Sequence, residues 1–288
     1  MGRRAGPGGD GQAQSGPIAG VADYVWHRMT GDAAVDESGF DPEFNVSVFM
    51  PLFRPLYRTW FRVRMRGLEH VPGSGAALVV ANHSGVLPFD ALMLQAGVFD
   101  EHPQHRVLRV LSADLVYEVP VLSSLARRSG HIRADPDQAD QVLAAGHLVG
   151  VFPEGFKGIG KPFSQRYRLQ RFGRGGFAAT ARRAGVPIIP CAIVGAEEIY
   201  PMIGNAQAVA RLLRLPYFPV TPLFPWLGPV GAVPLPSNWI IEFCPPVPTD
   251  SANGASGGQA VSSLADHVRD IIQHKLDELL VERGPAFS

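Results

Sequence analysis

The sequence has few charged residues, and the charges that it carries cancel. Charged side chains make up 18% of the 288 residues, whereas about a quarter is usual in soluble domains. The formal net charge at pH 7 is zero, so no overall positive field favours nucleic acid, and we expect no nucleic-acid partner. Apolar residues make up 46% of the chain. This low charged and high apolar content indicates a protein that buries apolar surface in a partner or in a membrane.

Cysteine is also scarce, and a secretion signal is lacking. The two cysteines, Cys191 and Cys244, both lie in apolar, strand-like runs, which predicts small buried side chains rather than a disulfide or a metal site. The first 17 residues are polar and rich in glycine, without the apolar core of a signal peptide. Export is therefore not indicated, and residues 1–20 are predicted to form a disordered tail.

From Gly75 onwards, apolar strands alternate with helical segments. Continuous apolar runs at 76–81, 148–152 and 187–194 are typical of parallel strands that are buried on both faces. Helical patterns lie between them, for example at 175–184. The predicted fold class is therefore α/β, with a mostly parallel central sheet covered by helices on both faces.

This α/β domain is predicted to cover residues 68–250, a length that can bury a substantial core. An N-terminal region, 21–67, precedes it and contains an amphipathic helix. A linker rich in Ser, Gly and Ala follows at 251–258, and a C-terminal helix and tail complete the chain at 259–288.

The amphipathic helix is predicted from Phe49 to Arg66. At helical spacing its arginines fall on one side and its apolar and aromatic residues on the other. This pattern is typical of a helix that lies in a membrane interface, and it predicts a peripheral protein on the cytoplasmic face of a membrane. The alternative is a helix packed on its own domain with solvated arginines.

The segment between Arg214 and Glu242 contains no charged residue. It is long enough to span a bilayer, which takes about 20 apolar residues. Its seven prolines, however, would leave backbone groups unpaired in lipid. We therefore predict an apolar flap held by prolines, which either rests on the core or dips into the interface. The sequence does not decide whether residues 215–241 enter the membrane.

A histidine and an aspartate follow the first buried strand, as His83 and Asp90. Acyl transfer to a hydroxyl requires a base within reach of the hydroxyl proton. A carboxylate on the other ring nitrogen would orient that base, as in catalytic triads. The carboxyl end of a parallel strand is also where such sheets place their sites. The alternative is a histidine that ends a strand beside an ordinary residue of a helix start.

A second strand end carries Glu154, in the run Phe152-Pro153-Glu154-Gly155. Glu154 could bind acceptor hydroxyls or brace the site; alone, a surface turn is the simpler interpretation. Basic and aromatic residues surround it and could hold a phosphate, or could form a solvated loop attracted to anionic lipid. The basic residues are Arg133, Lys157, Lys161, Arg166, Arg168, Arg171 and Arg174.

Three motifs occur in one order along the chain: His83 with Asp90, the run at 152–155, and Val186-Pro187-Ile188-Ile189-Pro190. With them, the chain resembles the glycerolipid acyltransferase superfamily, typified by lysophosphatidate acyltransferase, over residues 68–247. That family has a further motif centred on an arginine that helps to hold the acceptor, and Arg133 is its best match here. The resemblance implies His83 as general base and Asp90 as its orienting partner. The residues predicted to contact substrate are Asn82, Arg133, Glu154, Gly155, Lys157 and Arg174.

One feature departs from the family pattern. Six residues separate His83 from Asp90, where the common spacing is four. This longer form resembles a branch near the diacylglycerol-type acyltransferases. The acceptor is therefore open between a lysophospholipid or related glycerolipid and a neutral lipid.

The resemblance further implies acyl-CoA or an acyl carrier protein as donor, a membrane lipid surface as partner, and no metal or cofactor. Two other classes of function remain open. One is a lipid hydrolase, for which Ser84 is the plausible nucleophile, although adjacent side chains on an extended segment point in opposite directions. The other is a lipid-binding module without catalysis. Chain-length and positional preferences and the oligomeric state are not predicted.

Overall fold

The computed structural model describes residues 20–21, 24–26, 28, 35–84, 86–173, 175–212, 217–249 and 257–287. The predicted N-terminal tail therefore lies almost wholly outside the described residues. The strands are β1 (Arg64–Arg66), β2 (Ala77–Ala81), β3 (Leu108–Ser112), β4 (His131–Arg133), β5 (Leu148–Val151), β6 (Ile188–Val194), β7 (Gly204–Asn205), β8 (Pro219–Val220) and β9 (Ile240–Phe243).

The first helix, α1, passes through the consecutive segments Pro42–Phe44, Asn45–Phe49, Met50–Pro55 and Leu56–Trp60. The others are α2 (Phe89–Glu101), α3 (Leu115–Glu118), α4 (Pro120–Arg128), α5 (Pro136–Ala144), α6 (Phe156–Ile159), α7 (Gly176–Ala184), α8 (Gln207–Leu212) and α9 (Gly257–Arg283).

Seven of the strands form one sheet in the order β1-β9-β6-β2-β5-β3-β4. Strands β2 to β6 all run parallel, whereas β9 is antiparallel to β6. The carboxyl ends of the five parallel strands therefore share one edge of the sheet. Central β2 lies between β5 and β6, and such a position at the carboxyl edge is where open α/β sheets bind ligands.

Both faces of the sheet are buried, as predicted. Alternate residues of β2 enter different cores, because successive side chains of a strand point to opposite faces. Val79 packs in the core under α1 and α2, whereas Leu78 and Val80 pack in the core under α5, α7 and α9. The α/β fold class is thus confirmed. Both cysteines are buried as well.

The prediction for Phe49–Arg66 needs correction. The helix ends at Trp60, and Arg64–Arg66 form strand β1, which pairs with β9. Arg54 bonds both carboxylate oxygens of Asp100 in α2, at 2.9 and 2.8 Å, and Phe49 is buried. Basic and apolar sides of α1 thus both contact its own domain, so the structure supports the packed alternative over the interfacial helix.

The C-terminal boundary also shifts. Helix α9 begins at Gly257, inside the segment predicted as a linker, while residues 251–256 lie outside the described part. Val268, Ile272 and Leu276 of α9 are fully buried in the second core. Together, β1 and α9 show that parts of the predicted flanking regions belong to the same α/β body.

Residues 217–235, here called the flap, lie on the segment that follows β6. The backbone N–H of Leu235 donates to Ile199 O at 2.9 Å, and the hydroxyl of Tyr200 donates to Ala232 O at 2.6 Å. Strand β8 within the flap pairs with β7. Among the described helices, none combines the length and the hydropathy that a membrane crossing requires. The flap therefore rests, at least along one side, on the core.

Candidate active site

His83 and Asp90 meet at the carboxyl edge of the sheet. The chain leaves β2 at Ala81, so His83 projects from the strand end, while Asp90 lies in the first turn of α2. His83 Nδ1 lies 2.7 Å from Asp90 Oδ2. The longer spacing between the two residues therefore still delivers the carboxylate to the ring.

The carboxylate of Asp90 is fully buried but well satisfied. Its Oδ2 also accepts the backbone N–H of Ser84 at 2.8 Å, and its Oδ1 accepts that of Ala91 at 2.8 Å. These donors, together with the start of α2, stabilise a negative charge there. With Nδ1 of His83 held by the carboxylate, Nε2 is the ring nitrogen that can accept a proton from a substrate.

The ring and backbone of His83 are held from the neighbouring strand β5. Phe152, directly after β5, packs on the imidazole with 4.8 Å between ring centroids. The backbone N–H of His83 donates to Glu154 Oε1 at 3.0 Å. The imidazole side chain keeps 14% of its surface exposed. The ring and the backbone of His83 are thus both held in place, while part of the imidazole stays accessible to a substrate.

Glu154 is placed differently from the prediction that it contacts substrate. Its side chain is wholly buried, and Oε2 accepts the backbone N–H of Gln170 at 2.7 Å. Lys161 lies 3.4 Å from the same oxygen. Both oxygens are therefore engaged by the protein itself. Of the two predicted roles, the geometry favours bracing His83 over binding the acceptor.

The prediction that Lys161 is one of the basic residues that could hold a phosphate is also not supported by the structure. Its side chain is only 3% exposed and bridges Glu154 to Glu197, with a 3.0 Å contact to the latter. Burial raises the pKa of Glu197 to about 7, against the opposing charge of Lys161. Sequence reasoning missed this role, because a lysine in a basic loop gives no sign that it points inwards.

Asn82 likewise proves to be internal. Its carboxamide exchanges two hydrogen bonds with Ile193 in β6: Oδ1 accepts the backbone N–H at 2.7 Å, and Nδ2 donates to the carbonyl at 2.9 Å. The side chain is fully buried. The prediction that Asn82 contacts substrate is therefore replaced by a positioning role, in which it ties the end of β2 to β6.

The remaining predicted contacts are more accessible. Gly155 has φ +55 and ψ −144, a conformation that is essentially restricted to glycine, and it lets the chain turn sharply from Glu154 into α6. Lys157 is exposed on α6. Arg133 ends β4, three strands from β2, and its Nε lies 3.2 Å from Asp114 Oδ1. Arg174 lies outside the described residues.

Ser84 is poorly placed for the hydrolase alternative. Its side chain is fully buried, and its hydroxyl has no hydrogen-bond partner among the residues that the structure describes. A nucleophilic serine needs contact with its base and access to substrate. The geometry offers Ser84 neither.

Two small clefts lie beside the loop that carries Val86 and beneath the flap, and neither is lined by His83 or Asp90. One is lined by Val86, Lys161 and Tyr200, among others, and the second by Tyr200 and apolar flap residues. Tyr217, in the flap, donates its hydroxyl to Val86 O at 2.5 Å. Val86 lies in the loop between His83 and Asp90, so the flap contacts the catalytic loop directly. No local sequence pattern predicts this contact.

Comparisons with known proteins agree with the geometry. A family model described as Acyltransferase matches residues 62–194, a range that contains His83, Asp90 and Glu154. An uncharacterized protein of Mycobacterium tuberculosis is 53% identical over 94% of this chain and 76% of its own length.

More distant likenesses reach two kinds of protein. The "DGAT1/2-independent enzyme synthesizing storage lipids" of Bos taurus is 25% identical over 76% of this chain and 60% of its own length. The crystal structure of the 1-acyl-sn-glycerophosphate (LPA) acyltransferase PlsC from Thermotoga maritima superposes with a TM-score of 0.57, covering 90% of this chain and 88% of that one. At 17% identity this second likeness establishes the fold alone.

Proposed function

The chain belongs to the acyltransferase superfamily, and from this premise we propose that it transfers a fatty acyl group from a thioester to a glycerolipid hydroxyl. The donor is acyl-CoA or an acyl carrier protein, and the acceptor is a lysophospholipid or related glycerolipid. The 2.7 Å contact between His83 Nδ1 and Asp90 Oδ2 is the observation that carries the proposal.

The proposed reaction begins when Nε2 of His83 takes the proton of the acceptor hydroxyl. The hydroxyl oxygen attacks the thioester carbonyl carbon and forms a C–O bond and a tetrahedral oxyanion. Asp90, on the opposite nitrogen, keeps the ring oriented and stabilises the imidazolium that forms. Backbone N–H groups would stabilise the oxyanion by hydrogen bonding.

The oxyanion then collapses, and the C–S bond breaks. The imidazolium returns its proton to the departing thiolate, so the products are the acylated acceptor and the free thiol. A thioester is already an activated acyl group, and we therefore propose that the reaction needs no resident metal or cofactor.

Two classes of acceptor are supported by different observations. A phosphate-bearing acceptor is supported by the exposed cations Lys157 and Arg133 on the edge that carries His83. A neutral acceptor is the second candidate, favoured by the pairing of Arg133 with Asp114 and by the similarity to a storage-lipid enzyme. Because the substrates are lipids, we also propose a peripheral position on the cytoplasmic face of a membrane.

A direct test supplies the purified protein with radiolabelled acyl-CoA or acyl carrier protein and either lysophosphatidate or diacylglycerol. We expect acyl transfer to one of these acceptors, and its loss in His83→Ala, with an unchanged circular dichroism spectrum. Near-normal turnover in His83→Ala would refute the mechanism.

The same assay distinguishes an acyltransferase from the two other classes of function, a lipid hydrolase and a lipid-binding module without catalysis. Release of free fatty acid with a trapped acyl-serine at Ser84 would indicate a hydrolase. Vesicle binding without thioester consumption would indicate a lipid-binding module.

A further inference from the structure

The flap contains no charged residue, and it exposes several large apolar side chains to solvent. Trp226 is 73% exposed, and Leu227, Val230 and Val233 each expose more than half of their surface. Exposed apolar residues that stand singly are normal on proteins, whereas a group of them marks a surface that binds something.

Further exposed apolar side chains lie on the segments that follow the parallel strands. Because each segment leaves the carboxyl end of its strand, all of them begin at the edge of the sheet that carries His83. The exposed residues are Leu87 after β2, Val119, Val121 and Leu122 after β3, Phe156 after β5, and Ile203 after β6. Exposed apolar side chains also occur elsewhere, for example Leu52 and Val281, but among the described residues only this group combines the flap with the edge of the sheet that carries His83.

Cations border this surface. The segment between β5 and α7 carries the exposed residues Lys157, Arg166, Arg168 and Arg171. Two backbone hydrogen bonds connect this segment to the flap through the adjacent residues Met202 and Ile203. Phe163 N–H donates to Met202 O at 2.9 Å, and Ile203 N–H donates to Val220 O of the flap at 2.9 Å. An apolar surface bordered by Lys and Arg matches a bilayer, whose interior is apolar and whose anionic headgroups attract cations.

We propose that the flap, with the exposed apolar residues on the segments that leave the edge carrying His83, is the surface on which this protein docks to a bilayer that contains anionic lipid. The inference rests on the proposed function, since it places the opening to a lipid-processing site against the lipid. The proposed docking surface is not helix α1, where Arg54 is paired with Asp100.

The flap is also tied to the catalytic loop through Tyr217 and Val86. A bilayer that takes up Trp226 and Leu227 would therefore lie next to the loop that joins His83 to Asp90. Docking by this surface lets a lipid substrate reach His83 without crossing bulk water.

Vesicle flotation tests the surface. We expect the wild-type protein to float with vesicles of phosphatidylcholine and phosphatidylglycerol, and more weakly with phosphatidylcholine alone. The double variant Trp226→Ser/Leu227→Ser should lower the partition coefficient about tenfold or more, because two large apolar side chains lose their burial in lipid. The matched control is Val281→Ser on α9, which removes a side chain that is 86% exposed but remote in sequence from the flap.

Quenching by brominated phosphatidylcholine in the same anionic vesicles gives a second, independent measurement. Bromine quenches tryptophan that enters the acyl-chain region. Wild-type fluorescence should be quenched on binding, and Trp226→Phe should still bind but lose most of the quenching. Equal quenching in wild type and Trp226→Phe, or equal loss of flotation in the flap variant and in Val281→Ser, would overturn the docking surface.

Soluble substrates separate docking from catalysis. With a short-chain thioester and a lysolipid below its critical micelle concentration, the double flap variant should retain its rate while His83→Ala loses it. If His83→Ala abolishes transfer but the flap variant binds vesicles like wild type, the docking proposal fails and the function stands. If instead the flap variant turns a dimer into a monomer in sedimentation without changing flotation, the surface binds a second copy and the proposal is overturned.

Discussion

The backbone N–H of His83 donates a 3.0 Å hydrogen bond to Oε1 of Glu154, a residue 71 positions further along the chain. Because the two residues follow the adjacent parallel strands β2 and β5, this bond locks two strand ends together at the site. Glu154 is in turn held by Lys161. The position of His83 therefore depends on a buried ion pair behind it as well as on Asp90.

Replacing Asp90 with Asn should separate orientation from binding. The variant keeps the size of the side chain but weakens its hold on His83 Nδ1, so we expect kcat to fall about 100-fold or more, with little change in KM. Steady-state kinetics measures both. The matched control is Asp137→Asn, in the first turn of α5, which should retain wild-type kinetics. A large rise in KM with unchanged kcat would argue against the orienting role.

Replacing Lys161 with Met should destabilise the fold. The change leaves the buried carboxylates of Glu154 and Glu197 without their shared cation, and breaking such a pair costs about 3–5 kcal/mol. Urea denaturation followed by circular dichroism measures the free energy of unfolding. Lys157→Met, an exposed neighbour on α6, should change it by less than about 0.5 kcal/mol. Similar losses in both variants would contradict the buried bridge.

His131 should make the protein sensitive to mild acid. Burial lowers the pKa of His131 from 6.5 to about 4. Between these values the unfolded chain binds a proton that the folded chain does not, so stability is complete above pH 6.5 and falls as the pH drops towards 4. The loss at pH 4 is about 3 kcal/mol from this group.

The test for His131 compares unfolding free energies at pH 7 and pH 4.5 in wild type and in His131→Gln. The difference between the two pH values should be smaller in the variant by about 2–3 kcal/mol. The control is His274→Gln on α9, where the side chain is 79% exposed and should leave the wild-type pH dependence intact. An unchanged slope in His131→Gln would show that another group is responsible.

Arg133 should discriminate between the two acceptor classes. If it holds a phosphate, Arg133→Met removes a charge-assisted hydrogen bond, and KM for lysophosphatidate should rise about tenfold or more, while diacylglycerol kinetics stay unchanged. Arg127→Met is a suitable control, because Arg127 is also exposed and also lies over the ring of Tyr117. Equal kinetics in both variants would favour the neutral acceptor.

The order of the strands and helices follows from local sequence. Apolar runs such as 76–81 appear as strands and the periodic segments between them as helices, because the side-chain period of each element is set by its own backbone geometry. The pairing of His83 with Asp90 was predictable for a similar reason, since a strand end and the next helix start are close along the chain.

The sequence did not reveal which polar side chains turn inwards. Asn82 is bonded to Ile193, 111 positions away, and Lys161 to Glu197, 36 positions away. Such burial depends on which elements close over a loop, and no local pattern encodes it. Arg54 of α1 illustrates the same limit. The sequence pattern places Arg54 on the basic side of the helix but does not identify its partner, Asp100 of α2.

By itself, the sequence determined the α/β class, the strand ends that carry the chemistry and the His83–Asp90 pair, because periodicity and spacing act over short stretches of chain. The tertiary structure alone decided that Glu154, Asn82 and Lys161 support the site from within, and that the flap contacts the loop between His83 and Asp90. These outcomes require distant segments to meet, and their energetics lie in burial and charge pairing between those segments rather than in any one of them.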